Sequence, residues 1–180
     1  MILTETLSGH RLYLRPLVAA DATTVYAGWL NDPEVNKYLA TKSATIPELL
    51  AYINKKNEQS DAIFLAIVVA EGNHWIGTIK LEPIDWKAKR ATIAIMIGEK
   101  SYWGQALGPE AMQTLMTYGF NELHLKEIEL GVRAQNESAL RAYQKIGFKE
   151  VKRELHAIQN GDVWYDQVTM ICPNPNLPNT

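Results

Sequence analysis

The chain has 180 residues, 47% of them hydrophobic and 21% charged, a formal net charge of −2 and one cysteine. That length suits one domain with a substantial core, and the scattered, nearly balanced charge excludes a protein that tracks nucleic acid. The lone Cys172 excludes an intrachain disulfide and suits a reducing compartment, so a cytoplasmic location is expected. The N-terminus has no basic start followed by a long apolar core, and the longest apolar run, Ala62 to Ala70, is too short to span a bilayer as a helix. Neither secretion nor membrane insertion is expected, and the sequon at Asn136 to Ser138 reads as accidental.

Taken in order, Arg11 to Arg15 alternates Arg, Leu, Tyr, Leu, Arg and ends at Pro16, which predicts a first strand. Asp21 is placed to cap a helix whose apolar face uses Ala22, Val25 and Trp29 and which stops at Asn31, Asp32 and Pro33. Thr45 to Glu48 forms a capping box, predicting a second helix to about Asn57 with Leu49, Leu50 and Ile53 buried. Two strands follow near Ile63 to Glu71 and Trp75 to Pro83, linked as a hairpin by Glu71 to His74. A central strand, Thr92 to Ile97, and a helix from Pro109 onward come next. Lys126 to Val132 reads as a fifth strand and Glu137 to Ile146 as a helix closed by Gly147. Phe148 to Ile158 and Val163 to Ile171 form a last hairpin about Asn160 and Gly161, a type I′ signal. The sequence predicts an α/β domain around a mixed sheet over residues 1–171, with residues 172–180 as a disordered tail.

The stretch between the central strand and its helix carries the most chemistry. A glycine-bearing turn entering a helix exposes amides without intrahelical partners at the positive end of the dipole, where phosphate oxygens bind well. Gly104 and Gly108 allow close backbone approach, and Pro109 has no N–H. The predicted donors are therefore the amides of Gln105, Ala106, Leu107, Gly108 and Glu110. Neither GxGxxG nor a Walker lysine is present. Further on, Asn136 and Tyr143 lie seven positions apart, roughly 10 Å along a helix, and so share one face. Asparagine before a helix is also a preferred N-cap, and Ala139, Tyr143 and Ile146 form an ordinary apolar stripe.

The turn from Trp103 to Gly108 resembles the coenzyme A pyrophosphate loop of the GNAT acyltransferase superfamily, in which a basic or glutamine residue, glycine, and then glycine or alanine lead into a helix. Trp103 takes the first position, Ala106 the first glycine and Gly108 the last. Two of the three depart from the strict form, and alanine adds strain if the loop needs positive φ there. The phrase YWG is similar to the branch that includes ribosomal-protein N-terminal acetyltransferases. The segment Gly131 to Val151 resembles the second motif of the same superfamily. The order of elements matches it too.

The resemblance implies a GNAT fold and transfer of acetyl from acetyl-CoA to an amine, without a metal. It places Trp103, Gly104, Gln105, Ala106, Leu107 and Gly108 at the pyrophosphate and Asn136 at the pantetheine arm. Amides of a splayed central strand, at Ile95, Met96 and Ile97, would polarise the thioester carbonyl, and Tyr143 would protonate the departing thiolate. Relatives often carry a basic glutamate on the central strand, where this chain has Thr92. Glu82 and Asp85 are the next candidates, with His74 and Glu99 behind them. The acceptor would be a small-molecule amine or a protein N-terminus, with an amino-sugar nucleotide as alternative because Trp29 to Leu39 is similar to surface-polysaccharide acetyltransferases. A non-catalytic acyl-CoA sensor is the reading from another class, and a homodimer is an open option.

The acceptor pocket is expected from Asn31 to Ser43 and the last hairpin, with Tyr38, Trp86, Trp164 and Tyr165 as its lining and Asp32 and Glu34 facing a cationic amine. Cys172, without a patterned histidine, reads as a packing residue, and the absence of GxSxG and HExxH removes the common hydrolase readings.

Overall fold

Period-two alternation along the strands decides which helices cover which face. The computed structural model describes residues 3, 5–160 and 163–177. Its strands are β1 (Leu7–Ser8), β2 (Leu12–Pro16), β3 (Ile63–Val69), β4 (His74–Asp85), β5 (Arg90–Ile97), β6 (Glu127–Arg133), β7 (Lys149–Asn160) and β8 (Val163–Pro173). They form one mixed sheet in the order β1-β2-β3-β4-β5-β6-β8-β7, in which only the β5–β6 pair is parallel. The two-residue β1 carries no periodicity and had no signal in the sequence.

The helices are α1 (Thr24–Asn31), α2 (Ile46–Glu58), α3 (Leu107–Asn121) and α4 (Glu137–Lys145). On one face Tyr26, Trp29, Leu49 and Ile53 of α1 and α2 pack on Phe64, Ala66, Val68 and Met96. On the other, Leu107, Met112, Leu115 and Met116 of α3 pack on Ile63, Leu65, Ile67 and Ile93, with Leu140 and Tyr143 of α4 alongside.

Several boundaries move for identifiable reasons. Thr23, not Asp21, caps α1, accepting from the Tyr26 amide at 3.4 Å. Asp21 is already engaged, because Arg15 donates to both its oxygens at 2.8 Å and the Val18 amide adds a third bond. That later start turns Tyr26, Trp29 and Leu30 inward and leaves Val25 exposed. The Thr45–Glu48 capping box forms as expected, but Leu50 is 39% exposed while Leu49 and Ile53 are buried. The link between β3 and β4 is a short 3-10 turn through Gly72 at φ +73. At the far end β8 extends to Pro173, and buried Asn174 donates to the carbonyls of Leu125 and Phe120. The expected disorder therefore does not hold for residues 172–177; residues 178–180 and the hairpin tip at 161–162 lie outside the described residues.

β5 and β6 pair only at Arg90↔Glu127, Ala91↔Ile128 and Thr92↔Glu129. Beyond Thr92, β5 stays with β4 (Ile93↔Leu81, Ile95↔Ile79, Ile97↔Gly77), whereas β6 stays with β8 (Leu130↔Met170, Arg133↔Gln167). The sheet opens along its middle from Ile93 to Ile97.

Candidate active site

The gap is a cleft of ≈ 550 Å³. Ile93, Ala94 and Ile95 line one wall and Leu130, Gly131, Val132 and Arg133 the other, with Met112, Asn136 and Tyr143 between them. Unpaired sheet backbone at this depth needs partners, so this is where an extended, amide-bearing ligand would replace the missing strand contacts.

The turn that feeds α3 lies beside the same gap. Trp103 donates its indole N–H to the carbonyl of Ile97 at 2.9 Å, pinning the turn to the end of β5. Gly104 has φ +75, and Ala106, the N-cap of α3, has φ 60 and ψ 18 with no side-chain cap. The strain expected at Ala106 is thus present: a left-handed conformation costs a residue with Cβ roughly 1–2 kcal/mol. In return, the turn leaves successive amides without a protein acceptor, as an anion-binding nest would. The amides of Gly104, Gln105, Ala106, Leu107 and Gly108 have no acceptor among the described residues. The Glu110 amide, included among the predicted donors, is instead bonded to the Ala106 carbonyl at 3.3 Å. Gly108 packs α3 against the gap; a Cβ there would meet Ile95 Cδ1 and Ile97 Cγ1 at 3.8 Å.

Arg11, just before β2, braces this turn. It donates to Glu110 through both its amide and its Nε, and to the carbonyl of Gln105 at 3.0 Å. Burial pushes the Glu110 carboxyl up and the Arg11 bonds outweigh it, leaving it below the usual carboxylate range.

Asn136 caps α4, its Oδ1 accepting from the Ala139 amide at 3.4 Å and from Ser138 at 3.2 Å. Its Nδ2 has no acceptor among the described residues, and the residue lines the cleft. Tyr143 packs on Phe148 with ring centroids 6.2 Å apart. Burial pushes its phenol up to about 12. It therefore stays protonated at neutral pH, and its hydroxyl has no partner among the described residues.

The other side of β5 holds a second cavity of ≈ 510 Å³, roofed by α1, α2 and the segment 39–44 and floored by Thr78, Lys80, Ala94 and Met96. Both cavities are lined by Leu39, Ala40, Ala94 and Ile95, so these four residues form a narrow strip between the two. Tyr26 and Tyr52 line the second cavity, and burial raises the Tyr26 phenol to about 12.

The candidate bases fall elsewhere. Glu82 lines neither cavity; it is ion-paired to Lys56 and, at 2.8 Å, to Lys80. Burial pushes its carboxyl up, but the two lysine hydrogen bonds prevail and hold it low, which makes it a poor base. Asp85 caps the amides of Lys87 and Ala88, Glu99 caps Ser101, and His74 sits against Tyr102. Thr92 belongs to the paired half of β5, before the gap. Glu48 is the one carboxylate among the residues lining either cavity. Its capping signature gave a sufficient structural reason for it in the sequence, so its second position was not legible.

Of the expected acceptor residues, Tyr38 lines the cleft and donates to the Gln135 carbonyl at 3.2 Å. Tyr165 lies under Arg133 at 4.6 Å. Trp86 instead bonds the carbonyl of Ser60, Trp164 lines neither cavity, and Asp32 and Glu34 are both tied to Lys100. Cys172 is buried, as expected of a packing residue. Among the described residues no group of His, Cys, Asp and Glu is placed to hold a metal, and no helix is long and apolar enough to cross a membrane.

Residues 11–149 match the acetyltransferase (GNAT) domain model, a span that includes the turn, the gap and α4. The chain belongs to the GNAT acetyltransferases. Within that family it is 32% identical over 150 residues to the uncharacterized N-acetyltransferase p20 of Bacillus licheniformis, covering 81% of this chain and 83% of that one. It is 29% identical over 150 residues to spermidine N(1)-acetyltransferase of Escherichia coli K12, covering 83% and 78%. Among solved structures, spermidine N-acetyltransferase from Vibrio cholerae in complex with CoA and spermine superposes with a TM-score of 0.84 over 91% of this chain and 96% of that one, at 21% identity, a likeness of fold. As a GNAT member the chain is an acetyl-CoA-dependent N-acetyltransferase acting on an amine. The free amides of the turn, the open strand and the free Asn136 Nδ2 fit a pyrophosphate followed by an amide-bearing arm.

Proposed function

We propose that the acceptor is a primary amine on a small molecule, and that it meets the thioester at the strip shared by the two cavities. The observation that carries this reading is that strip: Leu39, Ala40, Ala94 and Ile95 face both the cleft at Tyr143 and the cavity at Glu48. The amides of Gly104 to Gly108 hold the pyrophosphate, and Asn136 Nδ2 donates to a carbonyl of the arm. An unpaired amide between Ile93 and Ile97 polarises the thioester carbonyl. The amine lone pair attacks that carbon, the C–N bond forms, the C–S bond breaks, and the Tyr143 phenol donates to the leaving thiolate and is reprotonated, through water, by the proton the acylated nitrogen loses.

An ammonium has no free lone pair, so a proton must leave first. Hydrogen bonds from the Thr45 amide and hydroxyl hold the Glu48 carboxyl below its usual range, which weakens it as a base. Its part is to attract the ammonium, with water carrying the proton away. The similarity to spermidine acetyltransferases supports a small amine, and the ribosomal-protein branch suggested by Trp103 would call for a peptide instead. CoA release measured with amino acids, amino sugars, polyamines and N-terminal peptides tests the reading. Turnover confined to peptides would replace the small-molecule acceptor with a protein N-terminus, and acetyl-CoA binding without any release of CoA would support a sensor.

A further inference from the structure

Two cations face the cleft with no carboxylate to balance them. Arg133, the last residue of β6, is 7% exposed and lines the cleft, and Lys42 lines it from the segment after α1. Among the described residues neither forms an ion pair, and the cleft lining contains no carboxylate. Both converge on one oxygen: Arg133 Nη1 donates to the Lys37 carbonyl at 3.3 Å and Lys42 Nζ to the same carbonyl at 3.1 Å, with a second Lys42 bond to the Asn36 carbonyl at 2.7 Å. The rest of the guanidinium lies over the Tyr165 ring and finds no acceptor among the described residues.

This arrangement is costly for the protein alone. Burying a guanidinium without a counter-ion forfeits solvation that one carbonyl does not restore. A second cation at the same oxygen adds repulsion. The strain registers at Lys42, whose ammonium is held below its usual pKa by burial and then by the Arg133 charge. Surface lysines commonly go unpaired, but a nearly buried arginine sharing a carbonyl with a lysine does not reduce to that case. A planar guanidinium beside an ammonium matches a carboxylate or phosphate group.

The phosphates of the acyl donor have their own place. No residue of the Trp103 to Glu110 turn lines this cleft. The cations lie instead on the segment 36–42 and the end of β6, and Leu39 and Ala40 of that segment reach the shared strip. Glu48, ahead of that strip on the other cavity, supplies the opposite charge.

Building on the small-molecule reading above, we propose that the acceptor amine also carries an anionic group, a carboxylate or phosphate, held by Arg133 and Lys42 while its ammonium end is drawn by Glu48. Such a zwitterionic acceptor fits a charge layout that repels a polycation such as a polyamine at the Arg133 end.

The test compares matched acceptors in the purified enzyme by CoA release, corrected for free-amine fraction: a panel of α-amino acids against their carboxamides, phosphoethanolamine against ethanolamine, and spermidine. The expected result is that the anionic member of at least one pair exceeds its neutral partner at least tenfold in kcat/KM and also exceeds spermidine. The two pairs separate a carboxylate from a phosphate. In Arg133→Gln and, independently, in the exposed-site variant Lys42→Gln, that ratio should fall toward one through a rise in acceptor KM. Arg133→Lys should retain part of it, and acetyl-CoA affinity should stay at the parent value in all three. Preference for the neutral amines or spermidine, or an unchanged ratio in both Gln variants, overturns the proposal and leaves the small-amine reading standing. Weakened acetyl-CoA binding in both Gln variants overturns it by assigning the cations to the donor. No turnover with any amine removes both readings.

Discussion

In the proposed reading, donor and acceptor are recognised by different means. The donor is held mostly by main chain, five amides of one turn and the edge opened by the parting of β5 from β6, with Asn136 and Tyr143 adding side-chain bonds. In the same reading the acceptor is held by side chains brought from separate segments, Glu48 of α2 in the second cavity across β5 and Lys42 and Arg133 in the cleft itself. Backbone recognition tolerates sequence change, which is why Trp103 and Ala106 can occupy positions where a stricter pattern has other residues. Side-chain recognition changes with single substitutions, so the acceptor side is where relatives of one fold diverge in substrate.

Changes that damage the main-chain surface should have the largest effect. Gly108→Trp puts an indole at the mouth of the turn, and acetyl-CoA binding by calorimetric titration should weaken by about 100-fold or more, the loss expected when several charge-assisted bonds go together. Unchanged affinity would move the pyrophosphate site away from this turn. Tyr143→Phe removes only a hydroxyl. Turnover should fall by about 100-fold while donor affinity stays level, since general acid catalysis is worth roughly 10²–10⁴; equal turnover would remove Tyr143 as the acid.

Smaller effects test the acceptor side and the strain. Glu48→Gln keeps an acceptor for the Thr45 cap but loses the charge, so acceptor KM should rise about tenfold, with the donor KM unmoved. A matching rise in donor KM would place Glu48 on the wrong side of the strip. Ala106→Gly relieves the left-handed strain at a cost in unfolded-state entropy, for a net gain of about 0.5 kcal/mol by denaturant titration. A clear loss of stability would mean that the φ of 60 at Ala106 is not held.

Glu82 gives the pH-dependent control. Its folded pKa is depressed, so its ion pairs with Lys56 and Lys80 contribute fully above the ordinary value of 4.5, and that contribution is lost as pH falls through the lower folded value. Glu82→Gln should therefore lower stability near neutrality and flatten the acid limb of the stability curve, while CoA release at pH 7 keeps its acceptor selectivity. A change of selectivity would return Glu82 to the site.

The geometry of the turn before α3 was largely legible in the sequence, because glycine spacing, Pro109 and a helix start report backbone geometry directly. Thr45–Glu48 and Asn136 were read correctly as caps for the same reason. What was hidden depended on register and tertiary placement. Nothing local reveals that Thr92 pairs with β6 while Ile93 to Ile97 pair with β4 alone; the splay expected at Ile95 to Ile97 came from the resemblance. Glu82 looked available because its lysine partners are distant or alternate in sequence, and Arg133 drew no attention because the segment 36–42 that meets it lies far away in the chain. Trp86 and Trp164 were drawn in by composition, and Trp86 is occupied at the Ser60 carbonyl.

The central claim is that the donor is held by the main chain of the turn before α3. Residue-resolved amide hydrogen exchange, with and without saturating acetyl-CoA, tests it most directly. The amides of Gly104, Gln105, Ala106, Leu107 and Gly108 should exchange more slowly in the complex, while that of Glu110, already bonded to Ala106, should change little. Protection elsewhere with none in this turn at saturation would contradict the account.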